Sequence, residues 1–241
     1  MSDALNRVTS RLRLLLLQLA IGCAPAPEQS GQQACEIVGG NHDPGRPFVV
    51  AIADDQNVVR CTGAVVSPLR VVTAAHCLVD GAEAMRVYLT ASEPALEVSR
   101  STVHPEFWSG PLAREFRYDL ALLTLPEATS IEPVVLADSS PREDQPVSIV
   151  GFGRTEASCA GAGAKQAGTM AIAGVSELTM ELAPAPASSC YIDSGGPVLA
   201  TSEAGEDSLV GIISTGSATC RGSSVATRVD VVREFILAAE P

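Results

Sequence analysis

From Ile37 onward, short apolar runs recur between clusters of Gly, Pro, Asp and Ser. The runs are Phe48–Ala53, Ala64–Ser67, Arg70–Ala74, Met85–Thr90, Leu120–Leu125, Val147–Gly151, Val198–Ala200 and Leu209–Ser214. Several short strands with turn residues between them predict an all-β barrel protein. The tail reads differently. After Asp230, the residues Val231, Val232, Phe235, Ile236 and Leu237 fall at helical spacing. This predicts a single closing helix with Asp230 as its cap. The Ala/Gly-rich stretch Ala157–Gly168 reads as a surface loop, and no internal repeat is visible.

The N-terminus carries a targeting pattern rather than a strand. Arg7, Arg11 and Arg13 precede an apolar stretch of nine residues, Leu14–Gly22. A bilayer span needs about 20 residues, so this stretch predicts a signal peptide over residues 1–22. Gly22-Cys23 is followed by Ala24-Pro25-Ala26-Pro27, which looks like a bacterial lipoprotein signal. Two routes stay open: lipidation of Cys23, or ordinary secretion. Residues 23–36 read as a polar linker or propeptide ahead of a domain over 37–241.

Composition narrows the function classes. A chain of 241 residues with 46% hydrophobic and 18% charged residues is globular rather than disordered. A net charge of -12, with no basic run beyond the N-terminus, argues against a nucleic-acid partner. The acidity is otherwise a matter of solubility. Seven cysteines in an exported chain predict disulfides and leave one cysteine over.

Four stretches carry candidate chemistry: Ile37-Val38-Gly39-Gly40, Thr73-Ala74-Ala75-His76-Cys77, Asp119-Leu120-Ala121-Leu122-Leu123, and Cys190-Tyr191-Ile192-Asp193-Ser194-Gly195-Gly196-Pro197. Together, and in this order, they resemble the trypsin/chymotrypsin family of serine proteases, from Ile37 to about Phe235. The order His76, Asp119, Ser194 is that of chymotrypsin, not of subtilisin or the α/β-hydrolases.

The resemblance implies two six-stranded antiparallel β-barrels with a C-terminal α-helix and an active site in their cleft. The barrels would join near Pro133–Pro146. It implies Ser194 as nucleophile, His76 as base and Asp119 as the group that orients it. Backbone N–H groups of Ile192 and Ser194 would form the oxyanion hole. Asp193 would pair with the amine freed at Ile37 when Glu36–Ile37 is cut by an activating protease. The resemblance also implies disulfides Cys61–Cys77 and Cys190–Cys220, each worth about 3 kcal/mol or slightly more by loop entropy. If Cys23 carries lipid, Cys35 and Cys159 can pair.

The same resemblance gives the substrate side. Ser214, Thr215 and Gly216 would form the edge along which a peptide or protein substrate pairs as an added strand. Ser214 would also support Asp119 from behind. Ser188 would sit at the floor of the specificity pocket, with Gly216 leaving one wall open and Ser224 near the other. A serine floor predicts uncharged side chains of small or medium size rather than Lys or Arg. Glutamate, hydrogen-bonded by Ser188 and Ser189, is the second reading. No metal motif is visible, and this chemistry needs no metal or cofactor.

One departure from the family pattern stands out: Ile192 occupies a glycine position. If isoleucine turned the backbone N–H away, the loss of one donor would cost about 10²–10³ in rate. Three functions are therefore in play: an exported serine endopeptidase, a protease-fold binding protein of little activity, and a structural lipoprotein at the membrane surface. A membrane enters the first reading only through an N-terminal lipid anchor.

Overall fold

The computed structural model describes residues 37–79, 85–90, 94–111, 115–153 and 164–238. The predicted signal peptide 1–22, the linker 23–36 with Glu36, and the cysteines Cys23, Cys35 and Cys159 lie outside the described residues. In chain order come β1 (Asn41–His42), β2 (Val49–Ala53), β3 (Val59–Ser67) and β4 (Arg70–Thr73). A one-turn helix α1 (His76–Val79) precedes β5 (Arg86–Tyr88), β6 (Leu96–Glu97) and β7 (Arg100–Val103). A small ribbon of β8 (Trp108–Ser109) and β9 (Phe116–Arg117) leads to β10 (Ala121–Thr124). The second half holds β11 (Val135–Leu136), β12 (Pro146–Gly151), β13 (Gln166–Val175) and β14 (Thr179–Pro184). It ends with β15 (Pro197–Thr201), β16 (Asp207–Thr215), β17 (Ser224–Arg228) and helix α2 (Val229–Ala238).

The expected barrels take two forms. Strands β12, β13, β14, β17, β16 and β15 pair in a closed antiparallel ring, sealed by the β13–β14 pairing. The first half is a seven-stranded sheet in the order β6-β5-β2-β3-β4-β10-β7. Its outermost strands, β6 and β7, are joined by Val98 and Ser99 alone, so the sheet has to curl back on itself. Pairing is antiparallel except where β11 runs parallel to β16.

Burial explains why β2 reads as an unbroken apolar run instead of an alternating one. Val50 and Ile52 face the interior of the first sheet with Val65, Val71, Val87 and Leu123. On the opposite face, Val49 joins Leu199, Leu209 and Ile212 of the second barrel. A strand covered on both sides needs apolar residues at every position. Helix α2 sends Val232 and Ile236 into that same layer between the sheets, the i, i+4 face that its sequence predicted.

Two local expectations are corrected. The helix begins at Val229, so Asp230 lies in its first turn instead of capping it. Its carboxylate is engaged by Arg228 at 2.6 Å and by the Ser140 hydroxyl at 2.7 Å, which holds it below the ordinary carboxylate range against the opposing effect of burial. The Ala157–Gly168 loop is shorter than expected at its described end, because Gln166–Gly168 already pair with Gly151–Ile149 of β12. Among the described residues, no helix is long and apolar enough to cross a membrane.

Candidate active site

His76 and Asp119 meet because their strands are neighbours. Thr73 of β4 pairs with Ala121 of β10, which brings the residues beyond these strand ends to one edge. Asp119 is buried, and Tyr118 before it takes φ of 50°. The Asp119 carboxylate accepts the His76 amide N–H at 2.9 Å and the ring Nδ1–H at 2.7 Å. It also accepts the Ser214 hydroxyl at 2.5 Å. Nδ1–H directed at the carboxylate leaves Nε2 as the acceptor nitrogen of the ring. Phe116 of β9 stacks on the imidazole, with centroids 4.9 Å apart and planes within 10°. The Cys61–Cys77 disulfide is formed and ties the residue after His76 to β3. Cys61, His76 and Cys77 lie close together, but both sulfurs are spent in that bond and the group offers no metal site.

Ser194 lies on the turn between β14 and β15, which the Cys190–Cys220 disulfide anchors. Its hydroxyl points to the Ser214 carbonyl at 3.5 Å, so Ser214 touches both Asp119 and Ser194. The Cys77 sulfur lies 4.0 Å from His76 Nε2 and 3.9 Å from the Ser194 carbonyl oxygen. The imidazole edge and the serine turn therefore share one wall. Gly195, at φ of 80°, packs so tightly that a Cβ would overlap Thr73 Oγ1 and the Thr62 carbonyl. Only glycine fits there.

Ile192 also has a positive φ, 75°, a conformation that glycine adopts freely and a β-branched residue adopts only under strain. Its side chain is half-buried against the cluster of Ala51, Ala53 and Val59, on which Tyr88 and Phe152 also pack. Its carbonyl accepts the Thr62 hydroxyl at 2.8 Å. The Thr62 amide in turn donates to the Ser194 carbonyl at 2.9 Å.

Asp193 and Ile37 are both fully buried. Asp193 Oδ2 accepts the Cys190 N–H at 2.8 Å, and the Gly153 amide also bonds the carboxylate. Oδ1 has no hydrogen-bond partner among the described residues. Burial pushes the carboxyl up to about 7, against the lowering effect of those two amides. Gly151 and Gly153 line this site, and a Cβ on either would overlap the carboxylate. Ile37 sits in the core of the second barrel with Ile149, Met170 and Ala187. The next residue, Val38, pairs with Ser188, whose amide donates to the Val38 carbonyl at 2.9 Å.

The pocket residues are drawn close to one another. Ser188 is buried and its hydroxyl donates to the Gly222 carbonyl at 2.8 Å. The Ser189 and Ser224 hydroxyls pair at 2.6 Å. Gly216 lies against Ser189: a Cβ there would come within 3.0 Å of Ser189 Oγ. Thr215 ends β16 directly after Ser214. Thr62, Phe116 and Phe152 escape a reading of the sequence, because they lie far along the chain from the residues they contact and belong to no motif.

Comparisons with known proteins agree with this geometry. The family model described as Trypsin matches residues 37–236. The chain is 28% identical over 211 residues to a trypsin of Saccharopolyspora erythraea, covering 77% of this chain and 88% of that protein. It is also 28% identical over 228 residues to trypsin iota of Drosophila melanogaster, covering 84% of this chain and 85% of the relative. A closed six-stranded barrel beside a curled sheet, with the family match spanning both, makes this chain a member of the trypsin family and a serine endopeptidase.

Proposed function

We propose that the chain is made as an inactive precursor and, once cut between Glu36 and Ile37, hydrolyses peptide bonds through Ser194, His76 and Asp119. The observation that carries this reading is the buried Asp119 carboxylate, which holds both the His76 ring and the Ser214 hydroxyl beside the Ser194 turn. A serine hydroxyl attacks a carbonyl only as a base takes its proton. Nε2 of His76 would take it, and Asp119 would steady the imidazolium that forms. The tetrahedral intermediate then collapses as His76 returns the proton to the departing amine. Water, activated by the same nitrogen, releases the acyl group from Ser194.

The N–H groups of Ile192 and Ser194 would stabilise the charge that develops on the carbonyl oxygen. A φ of 75° at Ile192 supports this, because the backbone has the conformation a glycine would take. The strain, about 1–2 kcal/mol, is opposed by packing of the half-buried side chain on the cluster of Ala51, Ala53 and Val59. This weighs against the reading of a protease-fold binding protein with little activity.

Activation would follow from Asp193. A buried carboxylate with an unpartnered oxygen is costly, and the ammonium freed at Ile37 is the partner that would relieve the cost. Residues 1–22 would be the export signal, 23–36 the propeptide and 37–241 the protease domain. The two disulfides belong to an oxidising compartment. Cys23 is the candidate point of lipid attachment, and a Cys35–Cys159 bond would retain the cut propeptide. Cleavage after Glu36 calls for an activating protease that accepts an acidic residue.

Substrates would be peptides or proteins with uncharged side chains of small or medium size at the cleavage site. No carboxylate is present among Ser188, Ser189, Gly216 and Ser224 to attract Lys or Arg. The serine hydroxyls already have partners, which ranks glutamate second. The substrate backbone would pair along Ser214, Thr215 and Gly216 as an added strand. The test is fluorophosphonate labelling and a peptide-library digest of protein cut after Glu36. Labelling should vanish in Ser194→Ala, and cleavage should follow Ala, Val or similar residues. Wild-type protein that stays unlabelled, with labelling restored by Ile192→Gly, would favour the binding-protein reading. Dominant cleavage after Lys or Arg would overturn the pocket assignment.

A further inference from the structure

We infer that Thr62 is a positioning residue for the oxyanion turn, and that its hydroxyl is what allows an isoleucine to occupy that turn. The inference rests on the reading of Ile192 and Ser194 as the oxyanion donors. Thr62 lies in β3, far along the chain from either residue, and is completely buried. Its hydroxyl donates to the Ile192 carbonyl at 2.8 Å, and its amide donates to the Ser194 carbonyl at 2.9 Å. One residue thus grips the carbonyls of both residues whose N–H groups would meet the substrate oxygen.

Thr62 is itself fixed on its remaining sides. Its hydroxyl oxygen accepts the Phe152 amide at 3.2 Å, and its carbonyl accepts the Thr73 hydroxyl at 2.9 Å. A hydroxyl has a single proton; with Phe152 N–H on the oxygen, that proton is committed to Ile192. Glycines make the room: a Cβ on Gly151 would come within 3.2 Å of Thr62 Oγ1, and one on Gly196 within 3.2 Å of its methyl.

The chemistry links this hold to Ile192. A β-branched residue at φ of 75° is pushed toward relaxation, and the rotation about its N–Cα bond that changes φ would swing its carbonyl away from Thr62. That movement would leave the Ile192 carbonyl without this donor and the proton of the buried Thr62 hydroxyl without its acceptor. The penalty for such unpaired groups is of the same order as the strain it would relieve. Glycine at the same position has no strain to resist, so the hydroxyl should matter far less to it. A role that exists only because of its neighbour predicts non-additive substitutions.

The test crosses Thr62→Val, which keeps the shape and the amide but deletes the hydroxyl, with Ile192→Gly. Thr62→Ser keeps the hydroxyl, and Thr62→Ala is a second deletion should the valine protein fail to fold. Each is cut after Glu36 and assayed on an N-acylated alanyl peptide p-nitroanilide, with Ser194→Ala as the blank. Thr62→Val should lower kcat roughly 10- to 100-fold, short of the full loss of a donor, while KM changes little. Thr62→Ser should return kcat to within about threefold of wild type. In the Ile192→Gly background the Thr62→Val loss should shrink to about threefold or less. Equal losses in both backgrounds, or no loss of kcat, would overturn the role assigned to Thr62. A wild-type protein with no turnover above the Ser194→Ala blank would overturn the oxyanion reading as well, so the two failures are told apart.

Discussion

The Asp119 carboxylate collects three hydrogen bonds, two from His76 and one from Ser214. The two from His76 set the ring's position and tautomer, so the Ser214 hydroxyl is a supporting contact. Deleting a hydrogen bond to a buried charged group costs about 1.5–3 kcal/mol. Because both His76 bonds survive in Ser214→Ala, the lower end applies, and kcat/KM should fall about tenfold. Steady-state kinetics checks this; a loss as complete as that of Ser194→Ala, or none, would mean that Ser214 is misplaced in the scheme. The same residues show what a sequence discloses at this scale. His76, Asp119 and Ser194 each sit in a contiguous stretch whose neighbours are needed locally, such as Gly195 beside Thr73, and so they were legible. Phe116 over the imidazole and Thr62 under Ile192 come from strand pairings many residues away, and no local pattern marks them.

Among elements, legibility followed side-chain size. The runs built from Val, Ile and Leu, such as β2, β10 and β16, were readable because bulky side chains on a covered sheet must be apolar. Strand β13, by contrast, is QAGTMAIAGV, and its small residues carry little apolar signal although it pairs with both β12 and β14 to close the barrel. The smallness has a cause at Gly168, where a Cβ would overlap the Ala187 Cβ and meet Ile37 at 3.0 Å. Gly168→Ala overpacks that point, and overpacking typically costs about 1–3 kcal/mol. Gly174, in the same strand, has open space around its Cα, so Gly174→Ala is the matched control and should be neutral or slightly stabilising. Urea unfolding of the two variants checks this pair; equal stability would show that β13 yields at Ile37 without resistance.

At the scale of the whole molecule, the proposed cut ahead of the domain would have to be felt at a carboxylate inside the second barrel, and pH is the probe of that link. In the uncut chain Asp193 is pushed up to about 7 by burial. Between the ordinary carboxylate pKa, about 4, and about 7, the folded chain therefore binds a proton that the unfolded chain has lost. Stability must fall as pH rises through that window. In cut protein the ammonium of Ile37 would favour the charged carboxylate instead, and the fall should disappear. The net charge of -12 also makes stability depend on pH, but that background is nearly common to both forms. The difference between cut and uncut Ser194→Ala protein thus isolates Asp193. It should widen from pH 4 to pH 7 by up to about 4 kcal/mol, because each tenfold change in proton affinity is worth about 1.4 kcal/mol. Thermal or urea unfolding of both forms across that range measures it, with Ser194→Ala preventing self-digestion. Parallel curves would mean that Asp193 does not receive the new amine, and the coupling between cleavage and the oxyanion turn would have to run by another route.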